Sequence, residues 1–372
     1  MRILIVSHEY NVGGSTRSMI NLTLELMKRG IDVNILIPRK KTAAELLDKY
    51  GLKYDVVRYY PNYKHIDKSW KLYEIFHEFM NYWHVIGVAK YIKKNKYDYV
   101  ISNSSAVDVA ARACKHLKQK HIYYIREIMG QSIDLDFCNK TRMKKLIENS
   151  EGTIFISNAV RDAHLKNYSI SNYVQIYNGI DARDYDAPGH SILDCDDIKF
   201  VQIGAICESK GTLSTIKMIE RVRKICKCQL TIVGDIKTDY YKVVKKYVDD
   251  NELNKNVEFV GYQENVSDFL SQSDILIMNT KYEGLGRVTI EGMISGCLVI
   301  GRASGGTLEI INHNVNGLLF ENEDEFIYYI KDILEKKDFY KQMARAARDY
   351  AISKFSIEQC ARKAINYLES IG

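Results

Sequence analysis

The sequence holds no apolar run approaching the roughly 18 residues that a membrane-crossing helix needs, no internal repeat and no low-complexity tract. Its opening, MRILIVSHEY, has one basic residue and a short apolar run broken by Ser7 and His8, too brief for a signal peptide. A cytoplasmic protein is therefore expected. Close-set cysteines are also scarce: of the eight, only Cys226-Lys-Cys228 form a near pair, with no histidine nearby. That favours reduced, structural thiols over a disulfide framework or a metal site. The G-x-G-x-x-G fingerprint is missing, which argues against NAD. Basic residues are interleaved with acids and no nucleic-acid-binding motif occurs, so no nucleic-acid partner is expected.

What is present is ordinary for a folded soluble chain: 372 residues, 46% hydrophobic and 27% charged. That length exceeds one usual core, so two domains are expected. The charge is unevenly divided. Residues 1–185 carry 29 Lys+Arg against 19 Asp+Glu, a balance of +10, and the remainder 24 against 28, a balance of −4, which together give the overall +6.

Short β-branched runs alternate with helix-length amphipathic segments, the pattern of α/β domains with doubly wound parallel sheets. The first half contains RILIVS, DVNILIP, DYVISN, HIYYIRE, GTIFIS and YVQIYNG. The second contains IKFVQIG, QLTIVGD, VEFVGY, DILIMNT, CLVIGR and GLLF. The Asp-rich stretch with Pro188-Gly189 reads as a linker, which gives a first domain over 1–185, a linker over 186–197 and a second domain over 198–353. A last helix over 354–372, opened by Ser356 with Gln359 as a capping box, is expected to return to the first domain.

Ligands of open parallel sheets sit beyond the carboxyl ends of the strands. After the first strand stand Gly13-Gly14, and after the first strand of the second half Gly204-Ala205-Ile206-Cys207-Glu208-Ser209-Lys210-Gly211. Glycines allow close backbone approach, and a lysine at a helix start suits a diphosphate. Gly234-Asp235 and Gly261-Tyr262 end the next two strands. DILIMNT runs into KYEGLGRVTIEG, which places Glu283 in a loop, the amides of Gly286, Arg287 and Val288 at a helix start, and Glu291 in or near the first turn. A carboxylate beside an anion site is best explained by sugar hydroxyls, which donate to it.

These features, in this order, resemble the retaining GT-B glycosyltransferases of family 4, a group related to sucrose synthase and bacterial mannosyltransferases. The likeness rests on Gly13-Gly14, Tyr177-Asn178-Gly179-Ile180-Asp181, Gly204 with Lys210-Gly211, Gly234-Asp235, Gly261-Tyr262, the E-x7-E stretch from Glu283 to Glu291, SGGTLEII and NGLLF. The resemblance implies two Rossmann-like domains facing a central cleft, with a UDP- or GDP-sugar bound by the second and a glycan or lipid-linked acceptor by the first. It also implies cell-surface polysaccharide assembly, no cofactor and no metal. Glu283 would then contact the transferred sugar and Glu291 the ribose. Lys210 and the amides of Gly286 to Val288 would hold the diphosphate, Gly261-Tyr262 would flank the base, and Gly284 and Leu285 would complete the donor loop.

Two departures stand out. Ala205 replaces an arginine usual in the family, leaving Arg287 or Arg302 as substitutes. Ile125-Arg126-Glu127 stands where several members carry a catalytic histidine, so Arg126 either steadies the donor phosphate or the acceptor, or pairs with Glu127. A non-catalytic partner subunit and a nucleotide-sugar epimerase are the alternative readings. Asp134-Leu-Asp136 imitates a D-x-D metal motif but is expected to be a loop, and His8 a structural group. Residues 59–97 are dense in Tyr, Trp, Lys and His and include both tryptophans, Trp70 and Trp83; with the basic first half they suggest peripheral contact with an anionic membrane.

Overall fold

The computed structural model describes residues 1–9, 11–65, 72–130, 135–185 and 191–372. Trp70, Asp134 and Pro188-Gly189 lie outside the described residues. The chain forms two compact units, Met1–Gly179 with Ile357–Gly372, and Ile180–Ser356.

In unit 1 the strands are β1 (Arg2–Val6), β2 (Asp32–Ile37), β3 (Tyr54–Val56), β4 (Tyr63–His65), β5 (Tyr99–Ser102), β6 (His121–Ile125), β7 (Leu135–Phe137), β8 (Gly152–Phe155) and β9 (Tyr173–Gln175). Seven make a parallel sheet in the order β3-β2-β1-β5-β6-β8-β9, while β4 and β7 form a separate antiparallel ribbon. Both faces of such a sheet are covered by helices, so its central strands read as continuous apolar runs. Leu4, Val6, Val100, Val88 and Ile92 meet in the core on one side.

Unit 2 holds β10 (Asp197–Ile203), β11 (Lys227–Val233), β12 (Val257–Gly261), β13 (Ile275–Met278), β14 (Leu298–Arg302) and β15 (Leu318–Phe320). They are ordered β12-β11-β10-β13-β14-β15, all parallel. In each unit the chain starts near the middle of the sheet, builds one edge and then returns to build the other. The order reverses between β1 and β5 in unit 1 and between β10 and β13 in unit 2. Those two switch points are where a doubly wound sheet opens a crevice for ligand.

All twelve strands expected from the apolar runs are present. The three additional ones, β3, β4 and β7, are three residues each, too short to show a period. The unit boundaries fall at Ile180 and Ser356 rather than at 186 and 354. The reason is a backbone junction: the Ile180 N–H donates to the Phe355 carbonyl at 2.9 Å and Ile180 bridges to Ser356, which binds 180–185 to the second unit. The helix Ile357–Ser370 then packs on unit 1. Tyr99 donates to the Leu368 carbonyl at 2.7 Å, and Thr153 N–H donates to the Tyr367 hydroxyl at 3.1 Å. Among the described residues no helix is long and apolar enough to cross a membrane.

Candidate functional site

The residues singled out in the second half gather at the switch point of unit 2. The loop leaving β10 leads to Lys210 and to the helix Thr212–Val222, while the loop leaving β13 leads to Glu283 and to the helix Arg287–Ile294. The loops are stitched together. Lys281 N–H donates to the Ser209 carbonyl at 2.8 Å, Lys281 pairs with Glu208 at 2.6 Å, and Gln202 donates to the Lys210 carbonyl at 2.8 Å. Across this seam Lys210 Nζ donates to Glu283 Oε2 at 2.8 Å.

Glu283 lies directly over the start of the second helix. A Cβ on Gly286 would stand 3.3 Å from Glu283 Cγ, and Gly286 itself adopts φ +90°, a conformation that favours glycine at this N-cap. The N–H groups of a first helical turn have no acceptor within the helix. A lysine, a carboxylate and the positive end of a helix therefore meet at one point. The SGGTLEII segment supports the loop from behind: Gly306 N–H donates to the Glu283 carbonyl at 2.8 Å, and a Cβ on Gly306 would stand 2.5 Å from Leu285 Cα. Gly284 and Leu285 are buried under that contact.

The other strand-end glycines line the adjoining carboxyl ends. Gly204 N–H donates to Val233 O at 2.9 Å and Gly234 N–H to Gly261 O at 3.1 Å, and any side chain on Gly234 would collide with the Gly204 carbonyl. Asp235 accepts from the Lys237 N–H at 2.9 Å and so shapes its own turn, while Tyr262 is exposed.

Glu291 is the fifth residue of its helix, just beyond the first turn, where the helix dipole alone does not account for it. Its partner is Arg287, one turn earlier, whose Nε donates to Glu291 Oε1. Buried Tyr185 bonds to both, and burial, followed by the Glu291 charge, drives its hydroxyl pKa upward. Arg287 is thus held along its own helix. Arg302 donates from Nε to Asn279 Oδ1 at 2.8 Å and from Nη1 to the Glu321 carbonyl at 3.3 Å. Both arginines are thus held by partners within unit 2, and the cation paired with Glu283 is Lys210.

Asn279 was not legible as a site residue. Its amide reaches Gly211 O at 3.3 Å and Thr215 Oγ1 at 3.2 Å, so it ties the Lys210 loop to Arg302. The only sequence signal is its position as the first polar residue after β13.

Unit 1 gathers a different set at its own switch point. Gly13 precedes the helix Gly14–Lys28, but the helix start is already capped: Glu9 accepts from the Thr16 N–H at 2.9 Å and from the Thr16 hydroxyl. Gly13 packs closely on this cap, since a Cβ there would stand 2.5 Å from Glu9 Oε1. A carboxylate thus occupies a helix start expected to face a phosphate. His8 lies 3.8 Å from the same carboxylate.

Arg126, at the end of β6, is buried. Its Nε and Nη2 donate to Asn103 Oδ1 at 3.0 and 2.7 Å, its Nη1 donates to Asn178 Oδ1 at 2.6 Å, and its guanidinium lies 4.2 Å from the centroid of the Tyr124 ring. Burial moves its pKa down from the usual arginine range. Glu127 turns the other way and accepts from the Ser104 hydroxyl and the Ser105 N–H, both at 2.8 Å. The alternative in which Arg126 pairs with Glu127 is therefore not realised. A buried guanidinium with only neutral amides for hydrogen-bond partners keeps its charge available to an anion.

Asp136 does not lie in a loop as expected but in the short strand β7, opposite Lys64 of β4, where it accepts from the Phe137 N–H at 2.8 Å and pairs with Lys140. All eight cysteines are free thiols. Among the described residues no three His, Cys, Asp or Glu side chains cluster as metal ligands.

Comparison with known proteins bears on the family and the fold. Residues 12–184 match the model of Glycosyltransferase Family 4 and residues 190–350 that of Glycosyl transferases group 1. An uncharacterized glycosyltransferase of Methanocaldococcus jannaschii is 28% identical over 220 residues, 57% of each chain. A capsular polysaccharide biosynthesis glycosyltransferase, CapH of Staphylococcus aureus, is 31% identical over 103 residues, 27% of this chain and 29% of that one. These alignments thus span about half, or less, of the length of the curated relatives. Among solved structures, Anabaena HepE in complex with UDP and glucose superimposes with a TM-score of 0.82 at 19% identity over the whole of both chains. With a family model on each half and two doubly wound parallel sheets, the chain belongs to the group 1, family 4 glycosyltransferases of GT-B fold.

Proposed function

We propose that the protein is a retaining glycosyltransferase that moves a sugar from a UDP- or GDP-sugar to a glycan or lipid-linked acceptor in the assembly of a cell-surface polysaccharide. The observation that carries this reading is the Lys210–Glu283 pair, 2.8 Å apart, over the glycine-capped start of the helix Arg287–Ile294. Each group satisfies the other; a bound diphosphate competes for Lys210 and releases Glu283 to accept from sugar hydroxyls. The bond from the anomeric carbon to the phosphate oxygen breaks, and a bond to the acceptor oxygen forms on the same face. The acceptor proton passes to the departing diphosphate. Negative charge developing there is met by Lys210 and the amides of Gly286 to Val288, preorganised donors of the kind that supply most of such stabilisation. No metal enters this scheme.

Glu291, with Arg287 and Tyr185, is read as the ribose end of the same site. The likeness to a capsular polysaccharide enzyme and to a structure holding UDP and glucose supports the donor class and the pathway.

The test is Glu283→Ala. Transfer is expected to be abolished while the melting temperature moves little, because a partly exposed ion pair contributes about 1 kcal/mol or less. Retained activity would refute the role. A thermal-shift panel of UDP-, GDP-, ADP- and dTDP-sugars identifies the donor, since a ligand of the folded state raises its stability. No shift with any of them would return the protein to the non-catalytic reading.

A further inference from the structure

A bound diphosphate brings several negative charges to the switch point of unit 2, and the two loops that meet there do not match them. The charged residues of 204–211 and 279–286 are Glu208, Lys210, Lys281 and Glu283. They pair one to one, Lys210 with Glu283 at 2.8 Å and Lys281 with Glu208 at 2.6 Å, so the two loops together are neutral. When Lys210 turns to the diphosphate, Glu283 is left beside an anion without a cation of its own, and like charges that close disfavour each other. Binding therefore calls for a further positive charge. Arg287 does not supply it, because Glu291 already neutralises it, and Arg302 is spent on the Asn279 amide and the Glu321 carbonyl.

The neighbouring strand end does supply one. In the sheet order β12-β11-β10-β13 the turn leaving β11 lies next to the loop leaving β10. The two touch. Thr238 Oγ1 donates to the Ile206 carbonyl at 3.3 Å, and a Cβ on Gly234 would meet the Gly204 carbonyl and stand 3.0 Å from Ile206 Cγ1. Between these contacts the β10 loop carries Ala205, exposed and too short to bring charge to a ligand, while the β11 turn carries Lys237. The backbone of Lys237 is fixed on both sides. Its N–H donates to Asp235 Oδ1 at 2.9 Å, and Thr238 caps the helix Asp239–Asp250 by accepting from the Tyr241 N–H at 3.1 Å. Its side chain is exposed and, among the described residues, has no carboxylate partner.

We propose, resting on the donor reading above, that Lys237 is a donor-binding residue that brings a second positive charge to the diphosphate from the β11 side, while Lys210 meets it from the β10 side. A lysine suits this place, since its point charge rides on a flexible stem and can reach across a neighbouring loop. The two lysines then differ in what binding asks of them. Lys210 must leave Glu283, whereas Lys237 has no ion pair to break and adds its attraction directly to affinity.

The test is calorimetric titration of UDP and of GDP into the full chain as wild type, Lys237→Ala and Lys237→Arg, with Lys281→Ala and Arg302→Ala for comparison. One of the two nucleotides is expected to bind. Lys237→Ala should weaken it by about tenfold, the loss of one charge-assisted contact, with the gap narrowing at high salt. Lys237→Arg, which keeps the charge, should retain the affinity. Position 237 is exposed, so the melting temperature of the ligand-free protein should be the same in all three. If one nucleotide binds wild type but Lys237→Ala binds it equally well, the proposal is overturned and the transferase reading stands. The same holds if Lys237→Arg is as weak as Lys237→Ala, or if the tenfold loss falls on Lys281→Ala or Arg302→Ala instead. Wild type that binds neither nucleotide would overturn both.

Discussion

The two units share one plan and differ in how they occupy it. Each is a doubly wound parallel sheet with loops at the carboxyl ends of the strands beside its switch point. In unit 2 those loops are glycine-rich and stitched to each other, and they bring Lys210 and Glu283 to a helix start. In unit 1 the corresponding helix start is capped by Glu9, and the available charge is Arg126, held by Asn103 and Asn178. Backbone amides and a lysine suit a diphosphate, which every nucleotide-sugar presents in the same form. Side-chain amides and a buried guanidinium suit a partner whose shape is particular to one enzyme. With the donor proposed in unit 2 and the acceptor in unit 1, the difference corresponds to a donor end built from backbone and an acceptor end built from side chains.

The largest effect that would sharpen this contrast is expected from Lys210→Ala. Removing a preorganised donor should lower turnover by about 10²–10³-fold, measured as initial rate at saturating acceptor. Arg126→Ala comes next. Transfer should fall mainly through a raised KM for the acceptor with donor affinity kept, and the two amide oxygens left without their donor should cost roughly 1–3 kcal/mol of stability, read by chemical denaturation. Arg126→Lys should not restore the acceptor KM, because an ammonium cannot span Asn103 and Asn178 as the planar guanidinium does. Gly306→Ala places a methyl against Leu285 and should cost about 1–3 kcal/mol, seen as weaker donor binding with the acceptor KM unchanged.

A further effect concerns acid. Burial lowers the His121 pKa to about 3 and also lowers that of His164, both in unit 1, whereas the described histidine of unit 2, His313, is exposed. The unfolded chain takes up these protons below about pH 6.5 and the folded unit does not. This contribution to stability is therefore complete above pH 6.5 and, for His121, is lost as pH falls towards 3, at up to about 1.4 kcal/mol per pH unit; His164 adds in the same direction. Amide exchange at pH 5 should show unit 1 loosened ahead of unit 2, and His121→Gln should reduce the gap.

The same contrast explains what the sequence could show. The candidate site of unit 2 was legible as a cluster because it is local: strand-end glycines, Lys210-Gly211 and the spacing from Glu283 to Glu291 each fix their placement within a few consecutive residues. Unit 1 was legible as a fold, from its apolar runs, but not as a site. Asn103 and Asn178 reach Arg126 from 23 and 52 residues away, and Glu9 reaches Thr16 across the glycine loop. No spacing rule encodes such meetings. Helix 72–95 was legible as aromatic-rich, but both of its faces are apolar, so only packing could say which one the core uses.

The central claim is that the donor belongs to unit 2 and the acceptor to unit 1. Calorimetric titration of the sugar donor found in the thermal-shift panel into wild type, Lys210→Ala and Arg126→Ala tests it most directly. The account predicts that Lys210→Ala weakens donor binding by about tenfold or more, the loss of one charge-assisted contact, and that Arg126→Ala leaves it unchanged. Equal losses in the two variants, or a loss confined to Arg126→Ala, would contradict it.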